Sequence, residues 1–126
     1  MYSTARAVGN LSPAAALAHG ATRTVYFDFR GMAGWVQLQI ICGASAVNGI
    51  TAEFYRGYTE GTAETPSTRV YDTVPSVSLA AVNVPAGQQR RESAGLGEGT
   101  WKCVLTNTDG ANDPTSVSLT TEQYST

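Results

Sequence analysis

Charge is scarce in this 126-residue chain. Asp, Glu, Lys and Arg together make up 14% of it, against about 25% in an average soluble domain. Lys102 is the single lysine, and the net charge is −2. Nothing here draws the chain to nucleic-acid phosphates in general. Histidine occurs once, as His19. A lone histidine in an N-terminal stretch without a nucleophile beside it gives no Ser-His-Asp or Cys-His arrangement. The two cysteines, Cys42 and Cys103, form neither a CxxC nor a Cys/His cluster, so zinc is not expected. Both fall on positions expected to face inward, and two buried thiols are the plain reading. No apolar run approaches ~18 residues, so no membrane-spanning helix is expected. The glycines of "GLGEG", Gly95 to Gly99, lack the following helix that a phosphate loop needs. "AAALAHG" ends like a signal-peptidase site, but Gly9, Asn10, Ser12 and Pro13 interrupt the apolar core that must precede one, so no signal peptide is expected.

What the chain has is Ser and Thr, 26 residues together, as its polar surface, and 42% hydrophobic residues. That suffices for one domain with a core of its own. From Ala21 onward the pattern has period two. "TVYFDFR" puts Val25, Phe27 and Phe29 on one face, and "WVQLQIIC" puts Val36, Leu38, Ile40 and Cys42 inward. "ITAEFYR" does the same with Ile50, Ala52 and Phe54, "SVSLAAVNV" with Val77, Leu79 and Ala81, "TWKCVLTN" with Trp101, Cys103 and Leu105, and "TSVSLTTEQ" with Val117 and Leu119. "TRVYDT" reads as a short strand, and "PAGQQRRESAGLGEG" as loop with a ragged strand in its middle. The expectation is an all-β, antiparallel β-sandwich, jelly-roll-like, of seven or eight strands, because each strand has one buried and one wet face. The immunoglobulin order fails, since Trp35 precedes Cys42.

Residues 1–22 differ: small, Ala-rich and without periodicity. They read as an extended N-terminal arm, with residues 23–126 as the sandwich domain. "SPAAALAHG" has the marks of one short helix, with Ser12 as N-cap, Pro13 at the first turn and Gly20 past its end. An arm of this kind gains order on a partner, and its candidate partner-binding residues are Tyr2, Arg6, Leu11 and Leu17.

Four further stretches carry candidate chemistry. "TNTDGANDPTS", Thr106 to Ser116, sets Asn107, Asp109, Asn112 and Asp113 close together. Calcium needs six to eight converging oxygens, whereas Asp-Gly and Asn-Asp-Pro are turn chemistry; a hairpin loop is expected, and no metal. "QQRRE", Gln88 to Glu92, has two arginines able to grip a phosphate or carboxylate, but reads as a solvated loop. Glu53, Glu60 and Glu64 offer carboxylates for glycoside chemistry, two of them in a Gly- and Thr-rich loop. Tyr26, Trp35, Tyr55 and Tyr58 point outward by alternation. Such a row suits a subunit interface or a sugar-stacking platform.

The order of segments "ALAHGATRTVYFDFRG", "VQLQIICG", "GITAEFYRG" and "GTWKCVLTNTDGANDPTSVSLTTE" resembles small β-sandwich structural proteins of tailed-bacteriophage virions, over about residues 17 to 122. The resemblance implies a non-enzymatic virion component without cofactors: a capsid decoration or cement protein, or a neck or tail subunit. Its partners would be the major capsid protein or other virion subunits, with homo-oligomers such as trimers expected, and neither nucleic acid nor membrane. A receptor- or carbohydrate-binding module is the alternative for the same surface.

Overall fold

The computed structural model describes residues 4–58 and 68–125. Among them are nine strands: β1 (Thr4–Ala15), β2 (Thr22–Phe29), β3 (Gly34–Ile41), β4 (Val47–Tyr58), β5 (Val70–Tyr71), β6 (Val77–Val84), β7 (Gln89–Leu96), β8 (Gly99–Asn107) and β9 (Ser116–Ser125). One sheet has the order β1-β9-β3-β7. The other has the order β2-β8-β4-β5, with β6 also paired to β4.

The ladders β1·β9, β2·β8, β3·β7 and β4·β6 are all antiparallel. In each, the two strands stand equally far along the chain from β5. The chain is therefore one long hairpin, doubled back around β5 and then rolled, and the ladders β3·β9 and β4·β8 join its turns. That is a jelly roll. The core fills the space between the sheets. Phe29, Leu38, Ile40, Phe54, Leu105 and Leu119 are all fully buried there, on the inward parity of their strands, because period-two alternation sends every second side chain to one face.

Four elements differ from the expectation drawn from the sequence. Residues Ser12 to Ala15 end strand β1 and are not the start of a helix. Two turns of isolated helix are marginal, whereas β9 offers the same backbone groups partners along its length. The Arg90–Arg91–Glu92 stretch lies within a full strand, β7, paired residue by residue with β3. Within β6 the inward parity changes: Leu79 pairs with Ala52, but Val82, not Ala81, pairs with Ile50. This register shift is a bulge, and it turns Val82 and Val84 into the core. The "TNTDGANDPTS" stretch does not close a hairpin either, since β8 and β9 belong to different sheets; it carries the chain from one sheet to the other. Cys42 and Cys103 are free and buried.

Candidate functional site

The loop after β8 holds the start of the body in place. Asn107 ends β8 on its inward face and is 0% exposed. Its Nδ2 donates to the carbonyls of Leu17 (2.9 Å) and Asn112 (3.1 Å), and its Oδ1 accepts from Asp109 N (3.0 Å). Its backbone exchanges hydrogen bonds with Gly20 and Ala21. Asp109 accepts from the backbone N–H groups of Ala111, Asn112 and Asn48, each at 2.9 Å, and these hold its carboxyl below the usual carboxylate range. Asp113 accepts from His19 N at 2.7 Å and lies 2.8 Å from the His19 ring Nδ1. The His19 contacts lower its carboxyl too. The carboxylate oxygens singled out in the sequence thus face the chain's own N–H groups. Among the described residues no group of three His, Cys, Asp or Glu side chains gathers as metal ligands would.

This clamp fixes the segment between β1 and β2 to the end of β8. Leu17 is 4% exposed and sits in the chain's own core, which corrects its assignment as a partner contact: its carbonyl and side chain are both engaged internally. Arg23 reaches back from β2 to the carbonyls of Ala15, Ala16 and Val117. Arg6 and Leu11 lie on β1, at the edge of the first sheet. Tyr2 lies outside the described residues, as do Glu60 and Glu64.

The outward aromatics do not form one row. Trp35, on β3, belongs to the outer face of the first sheet, and Tyr26 and Tyr55, on β2 and β4, belong to that of the second. On the second face, Tyr26 and Tyr55 flank Lys102 of β8 in register. The Lys102 Nζ stands 4.8 Å from the Tyr55 ring centroid and 5.2 Å from that of Tyr71, within cation–π range. Tyr71 lies 5.7 Å from Tyr26, centroid to centroid. It can lie there because its register partner is Gly57: a Cβ on Gly57 would meet Tyr71 Cε1 at 2.6 Å. Tyr58 donates to Asp72 Oδ1 at 2.6 Å, and Tyr55 to Glu53 Oε2 at 3.3 Å. Asp28 is bridged by Arg69 and Arg30. A depression of about 420 Å³ lies beside these side chains, but the rings are mostly turned toward one another and toward Lys102.

The first face is plainer. Trp35 is 52% exposed, with Gly95 beside it on β7 and Glu122 on β9. One row along, Gln37 stands between Ser93 and Thr120. Trp35, Gln37, Ser93, Thr120, Thr121 and Glu122 line a cleft of about 220 Å³. Glu122 was legible as outward, since Ser118 and Thr120 precede it at the same parity. That β9 lies beside β3, bringing Glu122 to Trp35, was not.

No family model matches the chain, and neither does any curated protein sequence. Among solved structures it is similar to a variant of an exo-β-1,3-galactanase from Phanerochaete chrysosporium with β-1,3-galactotriose, at 13% identity and a TM-score of 0.40. The match covers 94% of this chain and 29% of that one, so the chain spans less than a third of that protein's length. A likeness that remote carries no argument.

Proposed function

We propose that this protein is a non-enzymatic structural subunit of a bacteriophage virion, a decoration or cement protein that binds and stabilises the capsid through β1 and its sheet surfaces. The observation that carries the reading is the state of the β1·β9 ladder. Four ladders, β2·β8, β3·β7, β3·β9 and β4·β8, each run eight residues without a break. The β1·β9 ladder has three register shifts, and among the described residues no strand lies on the other side of β1. Its sequence, TARAVGNLSPAA, carries one charge, whereas the opposite edge, β7, is guarded by Arg90, Arg91 and Glu92. Charge guards an edge against pairing, and β1 carries little of it; Pro13 and the register shifts blunt its free edge, so β1 is read as the strand that leaves and pairs elsewhere and not as a template for an added one. Because Leu17 is anchored in the core, the segment before it can leave β9 and pair with a neighbour's sheet while the body stays folded. Sparse charge also lowers repulsion between copies packed side by side. The resemblance to phage structural proteins supplies the setting, with a neck or tail position as the alternative placement.

Asn10 and Thr120 are register partners. A double variant, Asn10→Cys with Thr120→Cys, is expected to lock β1 to its own body when oxidised. Purified virions from a strain carrying the gene should contain the wild-type chain at a fixed copy number, and immunogold labelling should place it on the capsid. The oxidised variant should stay folded but be missing from the particles, and reduction should restore it. Absence of the wild-type chain from virions overturns the virion reading. Incorporation of the locked form overturns the role of β1.

A further inference from the structure

The cleft around Trp35 has a composition that points to a ligand. Its residues form a grid on three neighbouring strands. One row is Gly95, Trp35 and Glu122, and the next is Ser93, Gln37 and Thr120. With strands ~4.8 Å apart and rows two residues apart along them, the footprint is roughly 10 by 7 Å. The benzo ring of Trp35 rests on the bare backbone of Gly95. A Cβ at Gly95 would stand 3.3, 3.5 and 3.6 Å from Trp35 Cζ3, Cη2 and Cε3. Glycine there seats the indole down on the sheet, while half of the side chain remains open to solvent. The volume, about 220 Å³, falls below the ~300–1,000 Å³ of sites that enclose a drug-sized molecule, so one small ring is covered.

The lining chemistry selects that ring. None of the described lining residues is a cation, which disfavours phosphates, sulfates and acidic sugars. Gln37, Ser93 and Thr120 offer neutral donors and acceptors, and the Glu122 carboxylate only accepts. Among the described residues Glu122 makes no ion pair. An aromatic surface seated among neutral hydrogen-bonding groups and one acceptor fits a partner with an apolar C–H face and a rim of hydroxyls. We propose that this face binds a neutral hexopyranose of a surface glycan, with Trp35 packed against the sugar ring and Gln37 and Glu122 taking its hydroxyls. The proposal does not rest on the virion reading, whose carrying observation and test concern β1.

The test uses the full chain. A glycan array identifies binders. Methyl β-galactoside, methyl β-glucoside, methyl α-mannoside and their disaccharides are then titrated to about 10 mM, tenfold above the Kd that ~4 kcal/mol of contact gives. For the wild type and Gly95→Val the readout is protection of tryptophan fluorescence from acrylamide, which reports Trp35 because Trp101 is buried; for the Trp35 variants, which lack that reporter, it is saturation-transfer difference NMR of the same sugars, run on the wild type as well. A neutral sugar should protect saturably. Trp35→Ala and Gly95→Val should each weaken binding about tenfold or more, the loss of one stacked contact worth ~1.4 kcal/mol, and Trp35→Phe should weaken it less. None of the three should alter the far-UV circular dichroism spectrum. No protection by any sugar overturns the proposal. So does binding that survives Trp35→Ala, or a Trp35→Ala variant that changes oligomeric size and nothing else, which would make this face a contact between copies.

Discussion

At the scale of single residues, Asn107 does more than any charged group. It closes β8, ties the β8–β9 connection to itself and holds Leu17 in place. In Asn107→Ala two carbonyls and one N–H lose their partner, the Leu17 carbonyl in a buried place and the other two groups in half-buried ones. Each orphaned group costs about 1–3 kcal/mol, with partial relief by water, so a loss of about 3 kcal/mol is expected from the urea midpoint, with a melting temperature lower by roughly 10 °C. A signal for this role was in the sequence: Asn107 continues the inward parity of Trp101, Cys103 and Leu105, and a polar residue at an inward position must have partners. Asp109 and Asn112 stand in the adjacent turn, but Leu17, ninety residues away, was not legible as a partner. Asp109 and Asp113 act through acid. Their folded-state pKa values lie below those of free carboxyls, about 3.9, because N–H groups favour the ionised form. Folding therefore disfavours their protonation. Their contribution is fully present above about pH 4 and is lost as pH falls through the lower folded values. Asp109→Asn should lower the urea midpoint at pH 7, and the gap from wild type should close toward pH 3. A gap that does not narrow between pH 5 and pH 3 would mean that lost shape matters there, not lost charge.

At the scale of elements, β1 and β6 are the strands whose ladders are both broken and, among the described residues, single-sided, and β1 has the more register shifts, three against two. It therefore belongs to the low-stability end of the molecule's local openings. In hydrogen exchange, amides of β1 should exchange ahead of those of β3 and β8, each of which is paired on both sides. Equal protection would remove the basis for β1 as a detachable strand. The same contrast explains what the sequence revealed. Strands with alternating Val, Ile, Leu and Phe were readable because burial of one face writes itself into the order of residues. β1, built of Ala, Gly, Ser and Pro, carries the turn and cap signals of Ser12 and Pro13 and no alternation; it becomes a strand through β9, a tertiary effect that overrides local preference. The bulge in β6 shifted parity after Leu79 for the same reason: Ile50 of β4, far off in the chain, sets which valine faces inward. Parity also said that Trp35, Tyr26 and Tyr55 point outward. It could not say that they point out from different sheets, because alternation is blind to which layer a strand joins.

At the scale of the whole molecule, the rolled hairpin makes the first and last strands neighbours, so opening it anywhere near its centre means undoing the pairing of both halves. Cys103 offers a way to see this. It lies in the middle of β8, which is paired to β2 and to β4, and burial pushes its thiol up to about 12. Only the thiolate attacks an alkylating reagent, so the folded protein at pH 8 has neither the access nor the ionisation for reaction. Labelling must then follow unfolding of the sandwich as a unit. If it does, its rate tracks the population of the unfolded state, and a destabilisation of about 3 kcal/mol by Asn107→Ala should speed labelling of Cys103 by about 100-fold, since each 1.4 kcal/mol is a factor of ten. Trp35→Ala, at an exposed site, should leave the rate unchanged. Mass spectrometry of iodoacetamide-treated protein over time checks both. Labelling of Cys103 that ignores Asn107→Ala would mean that β8 opens by itself, and the two layers would then be separable units instead of one roll closed by its own ends.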